Sequence, residues 1–390
     1  VSDPLWQPGD AAVGLYLHVP FCRAICTYCA FAKGEYDPAR ADAWLEGLER
    51  EIRVRRESTW SGRPRLATIF LGGGTPSTLT PPQWHRLGGL LHAGFEILPG
   101  VEFTSEANPE SLDRETAAAM RDVGVNRLSL GVQSLDPREL AALGRIHGVD
   151  EVRRAVASAR EAGFDDLNLD LMYGLPGQTT DRFAATLEGV LELSPDHVSA
   201  YCLGLEPGTP LAEEVAAGRT ASPGDETARL QYELLETRMQ AAGFEIYEIS
   251  NFARPARACR HNLRYWRRED VLALGPSSHA LLGGHRWVNP APLEKWWDAY
   301  RDASRAPRPL PVPMPQARFE WVFLHLRLTE GFAEDVFEER WGDAFPEVYG
   351  SVSERLVRLG LLRREKGRVR LDPSARFVSD GVFSEFAPGA

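Results

Sequence analysis

The sequence predicts an α/β protein: six βα units around a parallel sheet that closes wholly or partly into a barrel, then a smaller helical and winged-helix-like unit. Two observations predict it. Over the first two thirds of the 390 residues, short apolar or β-branched runs alternate with amphipathic stretches, the pattern of repeated βα units. Beyond a proline-rich break at 303–315, "ASRAPRPLPVPMP", the order changes to helix, helix and a glycine-turned hairpin.

The elements follow in order. Strands are expected at 14–19 (GLYLHV), 66–71 (LATIFL), 101–106 (VEFTSE), 126–132 (NRLSLGV), 167–172 (LNLDLM) and 197–203 (HVSAYCL), each followed by helix. In the first helix Asp37 caps, Pro38 suits the first turn, and Ala41, Trp44, Leu45, Leu48 and Ile52 recur at helical spacing. Further helices fit near 81–93, 111–123, 150–162, 180–193 and 225–242, and a strand at 244–249 follows. The proline segment suits neither a helix nor a central strand and reads as an extended connector. The expected domains are therefore 1–302, with an extension at about 244–302, the connector 303–315, and 316–390.

Composition narrows the function. A formal charge of -11, from 44 Lys and Arg against 55 Asp and Glu, excludes a chain that coats nucleic acid over its whole surface. The basic stretch from Arg355 to Arg370 reads as a solvated face or a protein-docking surface rather than a nucleic-acid site. No apolar run approaches the roughly 20 residues that span a bilayer, and the opening "VSDPLWQPGD" lacks a signal-peptide pattern. A cytoplasmic, soluble protein is expected. Five cysteines, three of them within eight residues, read as ligands kept reduced rather than as a disulfide framework.

Those three, Cys22, Cys26 and Cys29 in "HVPFCRAICTYCAF", have C-x3-C-x2-C spacing. On a [4Fe-4S] cube three thiolates leave one iron open to substrate. The alternative is a zinc site completed by His18. "LGGGTPSTL" follows a strand, and its glycines let backbone approach a charged small molecule closely. Glu106, Gln133 and Asp170 stand at strand ends, where a barrel brings distant side chains to one face. Asn108 and Ser134 read as polar core or cap residues. In "CRHNLRYW", His261 offers an imidazole nitrogen, Tyr265 and Trp266 offer flat faces, and Arg260 and Arg264 could pair with carboxylates. Cys259 is a rival metal ligand that would need a nearby cation such as Arg260.

The cysteine spacing with Tyr28, together with "GGGTPS", "GVQSL", "DLMYGLPGQT" and "EISNFARP…CRHNLRYW", resembles the oxygen-independent coproporphyrinogen III oxidase-like family of radical S-adenosylmethionine (SAM) proteins. The resemblance runs from about residue 14 to the C-terminus. It implies a partial (β/α)6 TIM-like barrel holding a [4Fe-4S] cluster on Cys22, Cys26 and Cys29. SAM would lie among Tyr16, Tyr28, Gly73, Gly74, Thr75, Glu106, Gln133, Arg145, Asp170 and Gly204. Two departures from the oxidase, Phe31 in place of its fourth cysteine and only 21 residues before Cys22, point to the family's heme-chaperone branch. Lost oxidase activity follows, with an oxidative porphyrinogen decarboxylase as the alternative. That branch implies heme contact through His261, Asn262, Tyr265 and Trp266. It also implies apo-hemoprotein acceptors such as respiratory cytochromes and an electron donor for the cluster.

Overall fold

In a computed structural model the described residues are 4–221 and 224–389; the outer domain limits at 1 and 390 lie outside them. The six expected strands form and pair in parallel: β1 (Val13–Val19), β2 (Arg65–Gly73), β3 (Glu96–Ala107), β4 (Arg127–Gln133), β5 (Leu167–Tyr173) and β6 (His197–Cys202). Leu15, Leu17, Ile69, Leu71, Leu128, Leu130, Leu169 and Leu171 are fully buried, as expected for strands that helices cover. Between them run α1 (Pro38–Ser58), α2 (Pro81–Gly94), α3 (Arg114–Asp122), α4 (Val149–Glu161) and α5 (Thr180–Glu192), with α6 (Asp225–Ala241) after β6. Asp37 does cap α1, accepting from the Arg40 N–H at 2.8 Å, and the five spaced apolar residues are buried.

The sheet then grows beyond the six units. The strand expected at 244–249 forms as β7 (Glu245–Glu248), antiparallel to β8 (Asn251–Ala253), which closes on β6. A short helix α7 (Arg260–Trp266) leads into β9 (Val271–Leu274), which lies parallel to β1; β10 (His279–Leu282) and β11 (His285–Val288) extend that edge antiparallel. After α8 (Leu293–Arg301), part of the proline segment, β12 (Leu310–Pro311), pairs with β11. The sheet is open and twelve-stranded, ordered β12-β11-β10-β9-β1-β2-β3-β4-β5-β6-β8-β7. Glu51 of α1 fastens the extension. Fully buried, it accepts from the Gly275 N–H (2.8 Å), Asn289 (2.6 Å) and Trp296 (2.9 Å).

A separate apolar core follows α9 (Met314–Arg327), which begins inside the expected connector. It takes in β13 (Phe332–Ala333), α10 (Glu334–Trp341), α11 (Phe345–Arg358) and the hairpin β14 (Leu362–Glu365) with β15 (Arg368–Leu371), turned at Lys366 and Gly367 in left-handed backbone. The expected helix, helix and hairpin form as α9, α11 and β14–β15, while β13 and α10 between the helices go beyond the sequence reading. Arg355, Arg363, Arg364 and Arg370 pair with Glu385, Asp372, Glu334 and Glu365, so much of the basic stretch is neutralised locally. Arg327 to Glu248 (3.4 Å) and Arg268 to Glu320 (3.0 Å) tie α9 to the main sheet. Among the described residues no helix is long and apolar enough to cross a membrane.

Candidate functional site

The loop after β1 carries the three cysteines, and the chain holds its base firmly. Phe21–Cys22 pairs in parallel with Gly34–Glu35, and the N–H groups of Gly74 and Thr75 donate to the carbonyls of Val19 (2.8 Å) and Phe21 (2.6 Å). At Gly74 only glycine fits, since a Cβ would meet those two carbonyl oxygens at 2.6 Å. Lys33 caps the carbonyl of Cys29. His18 spends its ring inward, with Nδ1 against the Tyr16 hydroxyl (3.1 Å) and Nε2 against the Ala32 carbonyl (2.7 Å). Both nitrogens are engaged, which removes the fourth ligand that a zinc site would need.

The strand ends meet this loop around a cavity of about 790 Å³, lined by Cys22, Cys26, Cys29, Tyr28, Gly73, Gly74, Thr75, Glu106, Gln133, Arg145, Asp170 and Gly204. The structure thus brings together all but one of the expected cluster and SAM positions. The exception, Tyr16, lies beneath, packed against His18 and Phe70. Gln133 holds a left-handed backbone (φ 66°) where β4 ends. A small apolar cluster of Leu143, Met172, Leu175, Leu203 and Leu211 supports Tyr28.

Sulfur and carboxyl groups have polar partners here. Thr75 donates to Cys22 Sγ (3.5 Å) and Arg145 to Cys26 Sγ (3.4 Å); Arg145 also donates to Asn108 (2.7 Å) and the Gly131 carbonyl (3.0 Å). Burial pushes the Cys22 thiol up to about 11, with Thr75 opposing it. Burial and then the Asp170 charge raise the Glu106 carboxyl to about 8, although the Gly73 N–H (3.1 Å) opposes the shift. A Cβ on Gly72 would lie 2.8 Å from that carboxyl, so glycine there makes room for it. Asp170 accepts from Ser129 and Asn168, both at 2.8 Å.

Three thiols on one cavity, two of them met by hydrogen-bond donors, and an exposed Phe31 two residues after Cys29 fit a cube with an open iron. Among the described residues no three His, Cys, Asp or Glu side chains gather tightly enough for a single ion. A cube takes each thiolate on a different iron, so its ligands need not touch. The glycine turn and the two buried carboxyls fit a small cationic ligand.

Sequence reasoning missed part of the cavity's lining: Arg127, Asn168, His197, Ser199 and Tyr201. Asn168 donates to Ser129 (2.7 Å) and Ser199 (2.9 Å), and its Oδ1 accepts from His197 Nδ1 (2.7 Å). The alternation of Asn168 and Asp170 in "NLDLM" was the available signal. Asn108, read as a cap, also lines the cavity and donates to Thr75 (2.9 Å), whereas Ser134 is fully buried against Glu139 (2.6 Å).

The "CRHNLRYW" residues divide. Asn262 and Cys259 line the large cavity; Tyr265 and Trp266 line a second one of about 340 Å³. His261 lines neither: it is 0 % exposed, its Nδ1 meets Thr68 (2.9 Å), and its ring stacks on Phe70. Cys259 faces Glu102 (3.5 Å), and burial followed by that carboxylate pushes its thiol up to about 12. Arg260 donates to the carbonyls of Gly100 and Ala67, and Arg264 pairs with Glu269 (3.0 Å).

Comparison with known proteins gives two family matches, the radical SAM superfamily over residues 16–190 and the HemN C-terminal domain over 312–378. Heme chaperone HemW of Bacillus subtilis (strain 168) is 35% identical over 373 residues, 95% of this chain and 98% of that protein. Heme chaperone HemW of Mycobacterium tuberculosis is 40% identical over 296 residues, 73% of this chain and 75% of that protein. Among solved structures, coproporphyrinogen III oxidase (HemN) from Escherichia coli superposes with a TM-score of 0.85 at 23% identity, covering 97% of this chain and 91% of that one. That likeness shows the fold.

Proposed function

We propose a heme chaperone, from the premise that this chain belongs to the HemW family of the radical SAM superfamily. In this reading it binds heme and delivers it to apo-hemoproteins such as respiratory cytochromes. The observation that carries the reading is likeness to proteins named for that role along nearly the whole chain.

Cys22, Cys26 and Cys29 would hold the cluster, and the residues around the large cavity would hold SAM. When bound, these groups supply one-electron chemistry. The chain's own part is to fix the ligand loop at Gly74, to donate hydrogen bonds to two sulfurs from Thr75 and Arg145, and to present the Glu106 carboxyl beside the glycine turn. Tyr265 and Trp266 would flank the porphyrin, with His261 and Asn262 beneath them on α7. The barrel with its extension through 302, the connector 303–315 and the unit from 316 onward would act as separate parts. An electron donor for the cluster and a cytoplasmic setting belong to the same reading.

The test has two arms on anaerobically reconstituted protein. One supplies heme and an apo-cytochrome; the other supplies SAM, reductant and coproporphyrinogen III. Heme transfer without protoporphyrinogen supports the chaperone. Protoporphyrinogen formation by a protein that binds no heme would replace it with the decarboxylase.

A further inference from the structure

We propose that Asn108 is a positioning residue: its side-chain amide aims hydrogen bonds at two of the cluster sulfurs at once and thereby raises the reduction potential of the cluster. The inference rests on the assignment of the cluster to Cys22, Cys26 and Cys29, and it adds a residue to the set that tunes it.

Asn108 stands just past the end of β3, where its backbone is fixed. Its N–H donates to Ser77 Oγ (3.2 Å), and its carbonyl accepts from the N–H groups of Ser111 (3.0 Å) and Leu112 (3.1 Å). The side chain reaches to residues that follow two other strands, β2 and β4. Oδ1 accepts from Arg145 Nη2 (2.7 Å), and Nδ2 donates to Thr75 Oγ1 (2.9 Å). This orientation of the amide is forced, because a guanidinium has no acceptor and must meet the oxygen. A Cβ on Gly131 would lie 2.7 Å from Oδ1, so glycine there keeps the place open.

Each partner passes the constraint on to a sulfur. Thr75 carries a single hydroxyl hydrogen; because its oxygen accepts from Asn108, that hydrogen is left for Cys22 Sγ at 3.5 Å. Arg145 Nη2 donates both to Asn108 and to the Gly131 carbonyl (3.0 Å). The guanidinium is a rigid plane, so holding Nη2 in this way aims Nη1 at Cys26 Sγ (3.4 Å). One amide therefore sets the direction of two donors, one on each of two cysteines.

Hydrogen bonds to the sulfurs are among the levers on the potential of an iron-sulfur cluster. One-electron reduction by an external donor breaks no bond and adds a negative charge that the sulfurs share. Donors at Sγ stabilise that charge, and turning one away makes the cluster harder to reduce.

The test is an anaerobic redox titration of the reconstituted full-length protein without SAM, with the reduced cluster read by electron paramagnetic resonance. Thr75→Val keeps the shape and removes the hydroxyl, so its midpoint should move to more negative potential, whereas Thr75→Ser should keep the wild-type value. Asn108→Asp keeps the shape but offers two acceptors, so Thr75 turns its hydrogen to the carboxylate and away from Cys22. The added charge lowers the potential in any background; the turned hydroxyl lowers it only where Thr75 is present. The shift caused by Asn108→Asp should therefore be larger in the wild-type background than in the Thr75→Val background. Equal shifts in the two backgrounds, or a Thr75→Val midpoint equal to wild type, overturn the assignment. Loss of iron from folded Asn108→Asp also overturns it, by making Asn108 a structural residue. A wild type that takes up no iron overturns both the assignment and the cluster on which it rests.

Discussion

Replacing Glu106 with Gln separates two consequences of one buried carboxyl. Its pKa stands at about 8 against an ordinary 4.5, because burial and the neighbouring Asp170 oppose its charge. A carboxyl raised in the folded state contributes its stability fully below the unfolded value and loses it as pH climbs through the folded one. At pH 7 this pKa difference makes the fold about 3 kcal/mol less stable than at pH 4.5, rising toward about 5 kcal/mol above pH 8. Gln retains an oxygen for the Gly73 N–H and cannot ionise. SAM-free Glu106→Gln should therefore melt with wild type at pH 5 and progressively above it toward pH 8.5. A cation seated beside Glu106 should also draw off its proton: at pH 7 a group titrating near 8 is about 0.9 protonated, so SAM binding should release about 0.9 proton. Calorimetry in two buffers of different ionisation enthalpy reads that release, and Glu106→Gln should abolish it. A melting difference that does not change with pH, together with buffer-independent heats in wild type, would refute the reasoning.

Three further outcomes are expected. Cys22→Ala, Cys26→Ala and Cys29→Ala should each lose most of the iron after anaerobic reconstitution, while Cys202→Ala, exposed and outside the loop, keeps it; iron analysis decides. Gly74→Ala should fail at the loop rather than at the ligand, because its Cβ meets backbone oxygens of the cysteine loop at 2.6 Å, and reconstituted iron should fall along with SAM binding. Glu51→Ala should lower stability by about 3 to 5 kcal/mol by leaving the Gly275, Asn289 and Trp296 donors buried and unpaired; denaturant melts would show it, and an unchanged midpoint would contradict it.

Much of this molecule is legible where physics is local. The six βα units announce themselves because strands buried on both faces read as apolar runs and helices begin at caps such as Asp37. The cysteines and the glycine turn are legible because each lies within one short loop. The β9–β12 extension is not, since its strands have two to four residues, with β9 pairing on β1 and the others on one another in turn. Arg127 and His197 look like ordinary strand residues until the barrel turns them inward. At His261 a ligand-like residue proves fully buried, because whether α7 presents or hides it depends on Thr68 and Phe70 from β2.

The position of β1 has a consequence for synthesis. One of its edges is filled by β2, which starts at Arg65, but the other waits for β9, which starts at Val271. With ribosomes adding about 5–20 residues each second, roughly 200 further residues keep that second edge bare for on the order of 10 to 40 seconds. During that interval the cysteine loop hangs from a strand with one open side, where another chain could pair. Vectorial synthesis therefore favours loading the cluster after β9 has docked, when the loop's base is held on both sides.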